Sequence, residues 1–171
     1  DARVVRALGA AFADVVARPE GAPAVVIGHD MRPSSPELAT ALAEGVRDRG
    51  VDAVLIGLCS TDGLYHASGV LGLPGAMFTA SHNPAQYNGI KFCRAGARPV
   101  GQDSGLADIR DLAQQHLDAG VSAFDGVRPG TVTERDVLAD YAGFLRELAA
   151  QIFMAAVLGS SARNSTLRGT L

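Results

Sequence analysis

Three short apolar runs, Ala24–Ile27, Val51–Ile56 and Ala76–Thr79, alternate with stretches of helical character, and this constrains the fold more than any other feature. Ser34-Ser35-Pro36-Glu37 matches a capping box with an early proline, so a helix is expected to begin there. Leu38, Leu42 and Val46 form its apolar stripe, and Gly50 stands where a C-terminal glycine belongs. Gly57–Asp62 leads into a second helix that ends near Leu71-Gly72. Strand, helix, strand, helix, strand argues for a parallel sheet joined by right-handed crossovers.

In such a sheet Gly28–Arg32, Gly57–Asp62 and Thr79–Pro84 leave the carboxyl ends of the strands. They line one edge, where open α/β folds bind ligands. Asn88–Cys93 follows too soon for a crossover helix, so it reads as a fourth strand antiparallel to the third. Val4, Val5, Leu8, Phe12, Val15 and Val16 recur at helical spacing and predict an opening amphipathic helix, ended by Pro19, Gly21 and Pro23. Ala95–Gly101 is turn-rich, Leu106 to Leu117 is helical, and Gly126–Thr131 reads as a loop. Val137, Tyr141, Phe144, Leu145 and Leu148 mark a last helix. Ala149–Leu158 is apolar and the residues from Gly159 are small and polar, without a clear period. The expected class is α/β: a three-layer α/β/α sandwich with a mostly parallel four-stranded sheet and one antiparallel strand direction.

The 171 residues suit one domain, or one domain with an appendage. A net charge of −3 disfavours nucleic acid and anionic membrane as partners. Cys59 and Cys93 belong to no CxxC pair and read as thiols of a reducing, cytoplasmic chain. Charged residues spread through the first apolar positions argue against a signal peptide. Ala149–Leu158 falls short of the roughly 20 residues that a membrane span needs, so a soluble chain is expected. A start at Asp1 suggests a trimmed chain or a piece of a longer one.

The apolar run Ala76–Phe78 stops abruptly at Thr79-Ala80-Ser81-His82-Asn83-Pro84. Ser81 could be a nucleophile, a phosphate carrier or a turn-capping hydroxyl. A hydrolase triad is disfavoured, because His82 is its chain neighbour and no Gly-x-Ser-x-Gly elbow is present. A phosphoserine needs donors and cations around it. His82 and Asn83 offer side-chain donors, the turn backbone can form an anion nest, and Arg32 leaves the same sheet edge. Lys91 returns toward Ser81 and could trade protons with a hydroxyl, or be a solvated strand lysine. His29 and Asp30 could equally cap turns, and Tyr65 and Tyr87 could simply pack.

Thr79-Ala80-Ser81-His82-Asn83-Pro84 followed by Tyr87-Asn88-Gly89-Ile90-Lys91 resembles the phosphoserine loop of the α-D-phosphohexomutases, the phosphomannomutase/phosphoglucomutase family. Gly28-His29-Asp30-Met31-Arg32-Pro33-Ser34 resembles the family's Gly-x-Asp-x-Arg-x-Ser segment. The likeness covers residues 1–148, the family's domain I, and leaves 149–171 as a non-matching tail that stops before domain II. It implies that Ser81 is the phosphoserine, that its phosphate supplies an oxygen to Mg²⁺, and that His82 and Lys91 serve catalysis, Lys91 as acid/base. Asn83 and Arg32 would bind phosphate or substrate. It further implies phosphoryl transfer within hexose phosphates through a hexose 1,6-bisphosphate, which also acts as activator. The metal loop Asp-Gly-Asp-x-Asp and the sugar loop Gly-Glu-x-Ser of the family do not occur here. Domains II–IV would therefore be required partners, Mg²⁺ would need ligands from them, and the isolated chain would be inactive. The rival expectation is a stand-alone phosphosugar- or protein-binding module without turnover. Ile152, Phe153, Met154, Val157 and Leu158 suggest self-association through the tail.

Overall fold

The computed structural model describes residues 1–119 and 128–166, with side chains up to Ala155. They divide into two compact units, the first ending at Val137 and the second beginning at Leu138. The first opens with α1 (Ala2–Phe12), capped by the Asp1 carboxylate, which accepts from the amides of Arg3 (2.7 Å) and Val4 (3.3 Å). A π-helical turn, Ala13–Ala17, continues it. There follow β1 (Ala24–His29), α2 (Ser35–Asp48), β2 (Asp52–Leu58), α3 (Thr61–Leu71), β3 (Gly75–Phe78) and β4 (Ile90–Arg94). The unit closes with β5 (Arg98–Pro99), α4 (Leu106–Ala119) and β6 (Val132–Glu134). The second unit carries α5 (Leu138–Thr166), which runs on through the apolar stretch past Leu148. Ile152, Phe153 and Met154 are exposed on it, while the side chains of Val157 and Leu158 lie outside the described residues. Among the described residues no helix is long and apolar enough to cross a membrane.

The strands form one sheet in the order β5-β4-β3-β1-β2-β6. Strands β1, β2, β3 and β6 are parallel, and β4 runs antiparallel to both of its neighbours. The sheet thus has six strands where the sequence suggested four. The two additions are very short edge strands, one within the turn-rich Arg98–Pro99 and one just after the Gly126–Thr131 loop.

Side-chain alternation divides the core between two layers. Val25, Ile27, Ala76 and Phe78 meet α1, α2 and α4 on one face, where Phe12, Leu42, Val46 and Ile109 are fully buried. Val26 and Met77 meet Leu64 and Ala67 of α3 on the other. The chain leaves β1 over one face through α2 and comes back over the opposite face through α3. This places β1 between β2 and β3, so the loops after β1 and β3 leave neighbouring strand ends at the carboxyl edge of the sheet.

Helix α2 begins differently from the expected capping box. Pro36 lies in its first turn, but the Ser34 hydroxyl caps no amide and instead accepts from the Asn88 side chain at 3.0 Å. The start of α2 is thereby tied to the loop after β3. Gly72 ends α3 in the left-handed conformation, φ +64°, as its position suggested.

Candidate functional site

Two segments build the site, Asp30–Ser35 after β1 and Thr79–Gly89 after β3. The second is closed at its base by the Thr79 amide, which donates to the Gly89 carbonyl at 3.0 Å. Gly89 permits this approach, since a Cβ there would stand 3.0 Å from the Thr79 oxygen. Two tight turns shape the rest: the Asn83 amide donates to the Ala80 carbonyl and the Tyr87 amide to Pro84, each at 3.0 Å. Ser81 lies at the first bend in the left-handed region, φ +50°, which is uncommon for a residue with a side chain. Its amide donates to the Thr79 hydroxyl at 3.1 Å, and its side chain is exposed.

Beneath the loop lies Arg32, 9% exposed. Its Nε donates to Asp30 Oδ2 at 3.0 Å. One terminal nitrogen donates to the carbonyls of Pro84 (2.9 Å) and Tyr87 (3.1 Å). The other donates to the carbonyls of Ser81 (3.1 Å) and Asn83 (3.0 Å). A guanidinium has five N–H groups, and all five are engaged. Arg32, expected among the phosphate ligands, here has no donor left for a phosphate.

Asp30 is the second hub. Burial opposes its ionisation, but the Arg32 amide, the hydroxyls of Ser35 and Thr79 and the Arg32 guanidinium outweigh it and hold the carboxyl below its ordinary value. Ser35 in turn accepts from Asn88 Nδ2 at 2.8 Å. The sequence singled out Ser81, His82, Asn83, Lys91 and Arg32 but saw in Asp30 only a turn cap and in Ser35 only a helix start. Both are structural ties of the loop, and the spacing Asp30-x-Arg32-x-x-Ser35 beside a chemically loaded loop was the available signal.

The other expected residues lie as follows. His82 and Asn83 are exposed beside Ser81, and their side chains have no hydrogen-bond partner among the described residues. Lys91 is exposed in β4, opposite Met77. Paired residues of an antiparallel ladder share a face, so Lys91 stands on the α3 side of the sheet, one pair removed from the strand tip at Phe78 and Ile90. Tyr87 is exposed and Tyr65 is half-buried. Cys93 is a buried thiol, and burial pushes the half-buried Cys59 thiol up to about 11. At neutral pH Cys59 is therefore protonated and no nucleophile.

Magnesium takes about six oxygen ligands. Among the described residues no three His, Cys, Asp or Glu side chains converge as a metal would require, and Asp30 is already occupied by four donors. The described residues alone do not fit such an ion.

A doubly wound sheet with a serine at a clamped loop on its carboxyl edge defines a class of ligand-handling α/β domain. Comparison with known proteins narrows it. The α/β/α domain I of phosphoglucomutase/phosphomannomutase matches residues 1–118. The chain belongs to this family of phosphohexose mutases. A phosphomannomutase of Escherichia coli is 42% identical over 122 residues, covering 71% of this chain and 26% of the relative. One of Klebsiella pneumoniae is 42% identical over 118 residues, covering 68% of this chain and 73% of the relative. A solved structure of a phosphoglucomutase/phosphomannomutase family protein from Burkholderia thailandensis superposes with a TM-score of 0.67 at 36% identity, covering 82% of this chain and 31% of that one. The chain thus spans about a quarter of the Escherichia coli relative.

Proposed function

We propose that this chain is the phosphoryl-carrying domain of a hexose-phosphate mutase, with Ser81 as the carrier. The observation that supports this most is the presentation of Ser81: an exposed hydroxyl, at positive φ, on a loop four of whose carbonyls are drawn away onto Arg32. Ser81 Oγ attacks a phosphorus of hexose 1,6-bisphosphate. The Oγ–P bond forms, the P–O bond to the sugar breaks, and the hydroxyl proton passes to the departing sugar oxygen. In the reverse step the phosphoryl group goes to a free hydroxyl of a hexose monophosphate and forms the 1,6-bisphosphate; after reorientation this intermediate returns its other phosphoryl group to Ser81 and leaves the isomeric monophosphate. Lys91 assists the proton transfer, and His82 and Asn83 supply donors to the phosphoryl oxygens. Arg32 takes no phosphate oxygen and supports the loop instead. Mg²⁺, when bound, neutralises charge on the transferring group, with protein ligands from other mutase domains. Whether mannose or glucose phosphate is turned over is set by those domains too.

The test is intact mass after incubation with glucose 1,6-bisphosphate. The chain is expected to gain one phosphate and Ser81→Ala none. A gain that persists in Ser81→Ala would sink the assignment. No gain in either would sink loading by the isolated chain and favour a binding module.

A further inference from the structure

We propose that Arg32 is a positioning residue for phosphoryl transfer, acting by fixing which way the peptide groups of the Ser81 loop face. The inference rests on the Ser81 reading and adds to it a role for a residue that never touches the phosphate. No peptide in the described chain is cis, and a trans peptide points its C=O and N–H in opposite directions. Arg32 draws the carbonyls of Ser81, Pro84 and Tyr87 inward. The amides of His82, Ala85 and Asn88, the other halves of those peptides, must then face away from it. None of these three amides has an acceptor among the described residues. The fourth carbonyl, that of Asn83, precedes Pro84, which has no N–H to present.

One guanidinium therefore does two things. It neutralises four carbonyl dipoles that would otherwise repel a phosphoryl group, and it leaves the loop with outward donors. Asp30 fixes the guanidinium in turn, through Nε at 3.0 Å. Lysine cannot substitute: it keeps the charge but brings three donors on one nitrogen, where five acceptors spread around a planar fork must be met.

Arg32→Lys in the full chain separates positioning from charge. Backbone ¹⁵N order parameters are expected to be about 0.85 for His82 to Asn88 in the unaltered chain and below about 0.6 in the variant. Amides of Val25 to Ile27 keep their positions, which distinguishes a loosened loop from an unfolded chain. Loading of Ser81 from glucose 1,6-bisphosphate is expected to slow at least tenfold at saturation, with half-saturation changed far less. A loop as ordered in Arg32→Lys as in the unaltered chain overturns the proposal, as does loading at the unaltered rate through a disordered loop. If the unaltered chain does not load, loading by the isolated chain fails instead, and the order parameters still decide the clamp.

Discussion

Asp30→Asn is expected to lower the unfolding free energy by about 2 kcal/mol at pH 7, measured from urea midpoints. Breaking a fully buried ion pair costs about 3–5 kcal/mol, because the surviving charge is stranded. Asp30 retains 21% of its side-chain surface in water, so the figure is discounted. The asparagine amide would also turn a donor toward groups that are themselves donors: the Arg32 guanidinium and amide and the Ser35 and Thr79 hydroxyls. The difference between the two proteins should depend on pH with a definite sign. The folded pKa of Asp30 is depressed, so its contribution is fully present above the unfolded value near 4 and is lost as pH falls through the folded one. The stability gap should be flat from pH 5 to 8 and narrow below about pH 4. A gap that widens on acidification would contradict the ionised, multiply bonded carboxylate.

Gly45→Val is expected to be still more damaging, at about 3 kcal/mol or more. Helices α1 and α2 cross in backbone contact: a Cβ at Gly45 would overlap the Arg6 carbonyl and stand 2.8 Å from the Ala10 nitrogen, and one at Gly9 would overlap the Leu42 carbonyl. Since both obstacles are backbone, the helices must part, and α1 carries Phe12, Ala10 and Ala11 out of their packing. Gly69 is the control. It lies exposed in α3 with open space around its Cβ position, so Gly69→Ala should be neutral or stabilise by about 0.5–1 kcal/mol. Equal losses at Gly45 and Gly69 would refute the close crossing as the cause.

Gly45 shows what the sequence hid. Inside a helical stripe it reads as a weak helix former, and nothing local reveals that another backbone lies against it. The alternation of β1, α2, β2, α3 and β3 was legible because each apolar run is bounded by glycine, proline or a polar turn. The edge strands β5 and β6 were not, since two or three exposed residues carry no period. Helix α5 passes Leu148 because the following residues, though without an amphipathic stripe, include no helix breaker until Gly159. The loop chemistry stood out through Ser81, His82 and Asn83. The partners of Arg32 did not, because four of its five acceptors are carbonyls, which every residue has and no residue type announces.

We propose Ser81, on the loop that Arg32 holds, as the carrier of the phosphoryl group. The most direct measurement is fragmentation mass spectrometry of the peptide containing Thr79 to Lys91 after reaction with glucose 1,6-bisphosphate. A single phosphate on Ser81, removed again when excess glucose 6-phosphate is added, is the predicted result. A phosphate on Thr79 or on a serine outside this loop, or one on Ser81 that the sugar phosphate cannot recover, would contradict it.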